Sequence, residues 1–141
     1  MPGLFAGNTA PVTIAAGAKL SLPAVDWSAH DTTVVLAVRE GCHYCAESAP
    51  FYQRLTKALG QSGKVHLVTV LPGEPAQSEK YLAGMGIPAD DIRQADLASL
   101  KVPYTPTLLV LDRSGVVRDV FVGKLSADKE GQVLSRLGLA Q

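Results

Sequence analysis

No stretch of this sequence approaches the roughly 18 consecutive apolar residues that a membrane-spanning helix needs. Nor does it carry an excess of either charge: thirteen basic residues face thirteen acidic ones among 141 residues, and no basic run stands out. That balance gives no reason to expect nucleic acid or an anionic membrane as a partner. The partner class left is a protein or a small molecule. There is no internal repeat. The start, MPGLFAGNTAPVTIAAGAKL, has no basic leading segment and no long apolar stretch, so it is not read as a signal peptide. Up to Val25 its only charge is Lys19. Gly, Ala and Pro dominate there, as in a linker ending in a short edge strand. Residues 1–19 are therefore read as a linker or edge segment ahead of one domain, 20–141, a length that suits a single hydrophobic core. Cysteine is equally scarce, and both copies, Cys42 and Cys45, fall within Glu40-Gly41-Cys42-His43-Tyr44-Cys45-Ala46-Glu47.

Thr32 to Val38 is a continuous β-branched and apolar run, the mark of a strand buried on both faces. It stops at Arg39-Glu40-Gly41, directly before the cysteines. From Cys45 onward Ala49, Tyr52, Leu55 and Leu59 recur at helical spacing, with Gly60 to end the run. The cysteine pair thus opens a helix that follows a central strand. Lys64 to Leu71 predicts a second buried strand, closed by Pro72-Gly73. A helix follows from about Pro75 to Ala83, with Gly84 and Gly86 as stops. Thr107 to Asp112 predicts a third strand and Val116 to Val122 a fourth, joined by a hairpin loop at Asp112-Arg113-Ser114-Gly115. Ser126 can cap a last helix through about Leu137, with Val133, Leu134 and Leu137 inward.

Two cysteines separated by two residues admit three chemistries. They can be a redox couple, half of a zinc site, or a structural staple. A closed zinc site needs four ligands, and the other histidines, His30 and His66, lie elsewhere in the chain. A staple across so short a loop removes little entropy from the unfolded chain. A redox couple uses the spacing fully, because a thiolate that attacks a disulfide needs a second thiol close by to resolve the mixed disulfide. At a helix start the free N–H groups and the helix dipole lower the pKa of Cys42, whereas Cys45, one turn inside, stays protonated longer.

The order β-α-β-α-β-β-α with CxxC at the first strand-to-helix junction resembles the thioredoxin fold over roughly residues 20–138. Pro50 stands where thioredoxins carry a helix-kinking proline. Thr105-Pro106-Thr107 resembles the family's cis-proline strand start. Gly115-Val116-Val117 and Val122-Gly123-Lys124-Leu125 resemble its hairpin glycine and its Val-Gly-x-Leu. The expected fold class is α/β: a central mixed sheet flanked by helices, with an insertion before the cis-proline strand. That insertion, Leu71 to Tyr104, with a short extra strand near Asp90-Asp91-Ile92-Arg93, resembles the redoxin branch, which includes peroxiredoxins and envelope-anchored thiol-disulfide oxidoreductases.

The resemblance implies a thiol-disulfide oxidoreductase that exchanges disulfides with protein thiols, Cys42 being the nucleophile and Cys45 the resolving cysteine. It implies substrate contacts at Tyr44, Thr105, Pro106 and Gly123, and it makes Glu47 the nearest match to an acid that envelope-anchored relatives carry after the motif. His43 is either a solvated residue at a helix start or a cation that tunes Cys42, and Glu47 either a helix-dipole partner or a proton shuttle. The buried acid of thioredoxin has no counterpart, since its place falls near Leu36 or Ala37. Neither a cofactor nor a metal is expected. The partners expected are protein thiols or disulfides and an upstream redox partner, acting on a monomer. The resemblance places the protein outside the cytoplasm, periplasmic or in the envelope with an anchor preceding Met1, and a cytoplasmic location is the alternative. Two other functions remain open. One is a redoxin-type thiol peroxidase, although the peroxiredoxin pattern of Pro, Thr or Ser, then Cys meets Arg39 and Leu36 or Val35 instead. The other is a non-catalytic thioredoxin-like binding module.

Overall fold

The structure, a computed structural model, describes residues 12–88 and 90–139. Five strands form one mixed sheet. They are β1 (Thr32–Ala37), β2 (Val65–Leu71), β3 (Ile92–Gln94), β4 (Thr107–Leu111) and β5 (Val117–Val122), in the spatial order β3-β2-β1-β4-β5. β1 runs parallel to β2, and β2 to β3, whereas β4 is antiparallel to β1 and β5 antiparallel to β4. The β1 run reads as apolar throughout because it is central: Val34, Val35, Leu36 and Ala37 are each at most 2% exposed. Its register, Thr32 opposite Val65 and Leu36 opposite Leu108, places the end of β1 beside the start of β4.

The helices are α1 (His43–Glu47), α2 (Ala49–Ser62), α3 (Pro75–Gly84) and α4 (Ala127–Arg136). The single helix expected from Cys45 onward is divided at Ser48, one residue before α2 begins. Pro50 has no N–H to donate, so it is tolerated only in a first helical turn. α2 buries Phe51 as well as the expected Tyr52, Leu55 and Leu59, and it ends on Gly63 in the left-handed conformation. The Ser126 hydroxyl caps α4 by accepting the Lys129 N–H at 3.2 Å. The short strand of the insertion is β3, shifted to Ile92–Gln94 and placed at the sheet edge.

The two faces of the sheet are covered by different means. All four helices contribute to one core, through Cys45, Leu55, Leu82 and Val133 packed with Val34, Leu36 and Val110. The other core, built on Val35, Val68, Val70, Leu109 and Leu111, is closed by Ile14, Leu20 and Leu22 from the N-terminal side and by Leu97, Leu100 and Val102 from the connection to β4. No α-helix takes part in this second core among the described residues, although Trp27 of the short 3-10 helix Trp27–Ala29 packs against it. The segment 1–19, expected as a linker or edge segment, is described from Val12 onward, and residues 1–11 lie outside the described residues. Ile14 is buried and donates its N–H to the Lys101 carbonyl at 2.6 Å. Gly17 bonds Val117, and Lys19 forms an isolated antiparallel bridge with Val116 where a short edge strand was expected.

The β4–β5 hairpin is where this cover is fastened. The Asp112 carboxylate accepts the N–H groups of Ser114 and Val116, and these bonds hold it below the usual carboxylate range. Gly115 has φ +76, and a Cβ there would lie 2.5 Å from Cδ1 of Trp27. The glycine therefore serves both the turn and the close approach of the indole. Gly115→Ala should destabilise the protein by roughly 1–3 kcal/mol through strain and displacement of Trp27. Denaturant unfolding measures this, and a loss under about 0.5 kcal/mol would show that the indole is not wedged against the turn.

Candidate active site

The cysteine pair sits where β1 hands the chain to α1. After Ala37 the strand's course continues through Val38, whose N–H bonds the Val70 carbonyl at 3.1 Å. Gly41, at φ +82, then turns the chain so that the Cys42 N–H reaches the Arg39 carbonyl at 3.1 Å. Cys42 is the N-cap of α1: its sulfur accepts the Cys45 N–H at 3.1 Å. Cys42 and Cys45 form a disulfide with their Cα atoms 5.2 Å apart. The two sulfurs are not equivalent. Cys45 is 0% exposed within the helical core, whereas Cys42 is half-buried at its edge. An incoming sulfur can reach Cys42 and cannot reach Cys45.

The loop before β4 closes over Cys42. Thr105–Pro106 is a cis peptide bond. The Thr105 hydroxyl donates to the Cys42 sulfur at 3.3 Å, and the Thr105 carbonyl lies 3.4 Å from the same atom. A disulfide sulfur has no proton to offer that carbonyl, so the contact becomes a hydrogen bond only when Cys42 is a thiol. The other two contacts, from the Cys45 N–H and the Thr105 hydroxyl, persist with a thiolate and favour it. Gly123, at φ +82, donates its N–H to the Pro106 carbonyl at 2.7 Å and so joins the loop after β5 to the same place. A Cβ at Gly123 would meet nothing within 4 Å, so the backbone conformation, and not crowding, calls for glycine here.

The remaining candidates lie around this centre. His43 and Glu47 are one helical turn apart and pair at 2.6 Å, while Lys124 from the loop after β5 reaches the other Glu47 oxygen at 3.3 Å. The Glu47 carboxyl is held below its ordinary value, first by the hydrogen bond from Lys124, against some desolvation, and next by the charge of His43. Tyr44 is 56% exposed, with the His43 ring edge-on to it at 5.2 Å. Leu36 and Ala37, where thioredoxin's buried acid would fall, are buried apolar residues. His30 and His66 stack with ring centroids 4.4 Å apart near the opposite ends of β1 and β2.

All eight residues singled out in the sequence thus gather at one end of the sheet, on α1, on the loop before β4 and on the loop after β5. Two further groups were missed. The Thr105 hydroxyl is one, since the sequence marked that residue only as a substrate contact. Lys124 occupies the open position of Val-Gly-x-Leu, and no periodicity links it to Glu47 across the chain.

No family model and no curated protein sequence matches this chain. Solved structures do. A protein from Chlorobium tepidum described as a thiol:disulfide interchange protein DsbE is 20% identical, with TM-score 0.65 over 89% of this chain and 98% of that one. The thioredoxin domain of a thiol-disulfide oxidoreductase from Bacteroides vulgatus is 15% identical, with TM-score 0.64 over 89% of this chain and 99% of that one. The exposed lipoprotein thioredoxin Etrx1 from Streptococcus pneumoniae is 17% identical, with TM-score 0.57 over 78% and 89%. At these identities the likeness is one of fold, and the fold of this chain is the thioredoxin fold.

Two outcomes follow from the site's geometry. Thr105→Val keeps the shape and removes the hydroxyl, so the Cys42 pKa should rise by about 0.5–1 unit, the worth of one hydrogen bond. Ultraviolet thiolate absorbance of the reduced protein reads this, and an unchanged pKa would remove Thr105 from the set of groups that stabilise the anion. The second concerns Glu47. Because its carboxyl is depressed in the folded state, its contribution is present above the ordinary value of 4.5 and lost as pH falls through the lower folded value. Lys124→Ala should move the Glu47 midpoint upward, toward 4.5, in a carboxyl carbon NMR titration. A midpoint that stays in place would mean that His43 alone holds the carboxylate.

Proposed function

We propose that this protein is a thiol-disulfide oxidoreductase that exchanges disulfides with protein thiols, with Cys42 as nucleophile and Cys45 as resolving cysteine. The observation that carries the reading is the asymmetry of the pair. One sulfur is half-exposed at a helix cap and contacts two groups on the loop before β4, and the other is sealed in the core. In the dithiol form, the Cys42 thiolate attacks one sulfur of a client disulfide. The client S–S bond breaks, one client sulfur leaves as thiolate, and the other is joined to Cys42. Cys45 then loses its proton and attacks the Cys42 sulfur, releasing the second client thiolate and forming the Cys42–Cys45 disulfide. Two electrons pass to the client. Run backward, the same steps oxidise a client dithiol.

This chain's groups divide the work. The Cys45 N–H and the Thr105 hydroxyl stabilise the Cys42 anion, and the backbone of Thr105, ahead of Pro106, offers an extended client segment a place to pair beside the sulfur. Tyr44 presents an exposed aromatic face, and Gly123 leaves open space on the far side of the loop. A separate redox partner resets the pair after each turnover. No helix among the described residues is long and apolar enough to cross a membrane. We place the protein outside the cytoplasm, a reading supported by its likeness to an exposed lipoprotein thioredoxin, and we take the working unit to be a monomer.

Trapping tests the assignment. Cys45→Ser should accumulate a mixed disulfide with an oxidised protein client, visible as a band that reducing agent removes. Cys42→Ser should form none, and both variants should lose turnover of a protein disulfide. Equal trapping by the two variants would overturn the division of roles, and full turnover by either would overturn the redox reading.

A further inference from the structure

β5 is an edge strand, and only its first part is covered among the described residues. Val117 exchanges main-chain bonds with Gly17 and Ala18, at 2.7 and 2.8 Å. Beyond that point the register decides which groups face out. Gly123 and Pro106 are opposite one another and bonded, as the Gly123 N–H to Pro106 carbonyl contact shows, so the bonded pairs that follow are Phe121 with Leu108 and Asp119 with Val110. The N–H and C=O groups of Val120 and Val122 therefore point away from β4, toward the open edge. Among the described residues no backbone group bonds to them.

The side chains beside this edge are unusually apolar for a surface. Val122 is 48% exposed and Tyr104 is 46% exposed, and both line a shallow apolar groove with Ile14, Val102, Pro103 and Val120. Val12, at 67% exposed, borders the neighbouring depression of about 270 Å³, which shares Ile14 and Lys101 with the groove. That depression also holds Lys19. Neither Lys19 nor Lys101 makes an ion pair among the described residues, and residues 1–25 contain no acidic side chain. Among the described residues an open strand edge, an apolar groove and two unpaired cations thus occupy one surface. It adjoins the site directly: Val122 is opposite Thr107, the residue after Pro106.

We propose that the outer edge of β5 docks an extended segment of the client polypeptide, apolar at its centre and flanked by acidic residues. The segment adds a strand along Val120 and Val122, lays an apolar side chain on Tyr104 and Val122, and meets Lys19 and Lys101 with its carboxylates. The proposal rests on the reading that the client is a polypeptide. The docking edge is separate from the pairing place at Thr105, and it holds the client beside the cysteines while a different part of that chain reacts.

The test uses two cysteine-free fluorescent peptides, Glu-Val-Thr-Val-Glu and Lys-Val-Thr-Val-Lys, read by anisotropy at low salt. The acidic peptide should bind at least about fivefold more tightly than the basic one, and Val122→Asp and Lys101→Glu should each weaken it by about fivefold or more. A disulfide-cyclised peptide with and without the acidic extension supplies the second readout. The extension should raise kcat/KM for the natural sequence and not for the two variants, and all three proteins should reduce the bare ring equally. Equal binding of the two peptides, or an affinity untouched by both variants, would overturn the docking edge. Failure of every protein to reduce either ring, with acidic-peptide binding as expected, would instead overturn the oxidoreductase reading and leave the docking edge standing.

Discussion

The site depends on one atom, the sulfur of Cys42, being reached from three directions at once. The end of β1 delivers it, the first turn of α1 offers it the Cys45 N–H, and the loop before β4 brings the Thr105 hydroxyl. The contact from Thr105 exists because β1 and β4 are neighbours, with Ala37 opposite Thr107. If the sheet order differed, the Cys42 sulfur would lose the donor on Thr105 and keep only the helix end. The fold's contribution is therefore positional. Groups that are distant in sequence become donors to a single anion, within a setting where Cys45 is fully enclosed.

Charge around that atom is arranged on the outer side. His43, Glu47 and Lys124 form a chain of exposed contacts linking α1 to the loop after β5. Exposed pairs of this kind contribute little to folding. Their effect is on geometry and local field: Glu47 stays ionised, and in pairing with Lys124 it ties the helix that carries the cysteines to the loop that Gly123 fastens to Pro106. In place of the buried acid of thioredoxin lie Leu36 and Ala37, so proton movement to and from Cys45 has no carboxylate beneath it in β1.

Much of this was legible in the sequence where a periodic or positional rule applied. The run Thr32–Val38 could only be a strand enclosed on both sides, and the helical spacing from Cys45 found the face of α2 that carries Tyr52, Leu55 and Leu59. Ser126 and Gly115 were readable as cap and turn, because each chemistry has few substitutes. What escaped were relations without a local signature. The Thr105 hydroxyl reaches the sulfur only through the fold, and Lys124 finds Glu47 only because two loops meet. The cover of the second core was the largest omission: the 12–29 segment and the 95–102 connection are aperiodic, rich in small residues, and resemble linkers until Ile14, Leu22 and Leu97 are seen packed on Val35 and Val68.

That cover, which has no α-helix among the described residues, gives the two sides of the sheet different cooperativity. A helix leaves a core as a unit, because its internal hydrogen bonds must break together. The segments over Val35, Val68 and Leu109 are attached mainly by scattered main-chain bonds and by the apolar area beneath them, so they can detach in parts without unfolding α1. Partial opening is then cheaper on this side than global unfolding, and the cysteine pair belongs to the other, helical core.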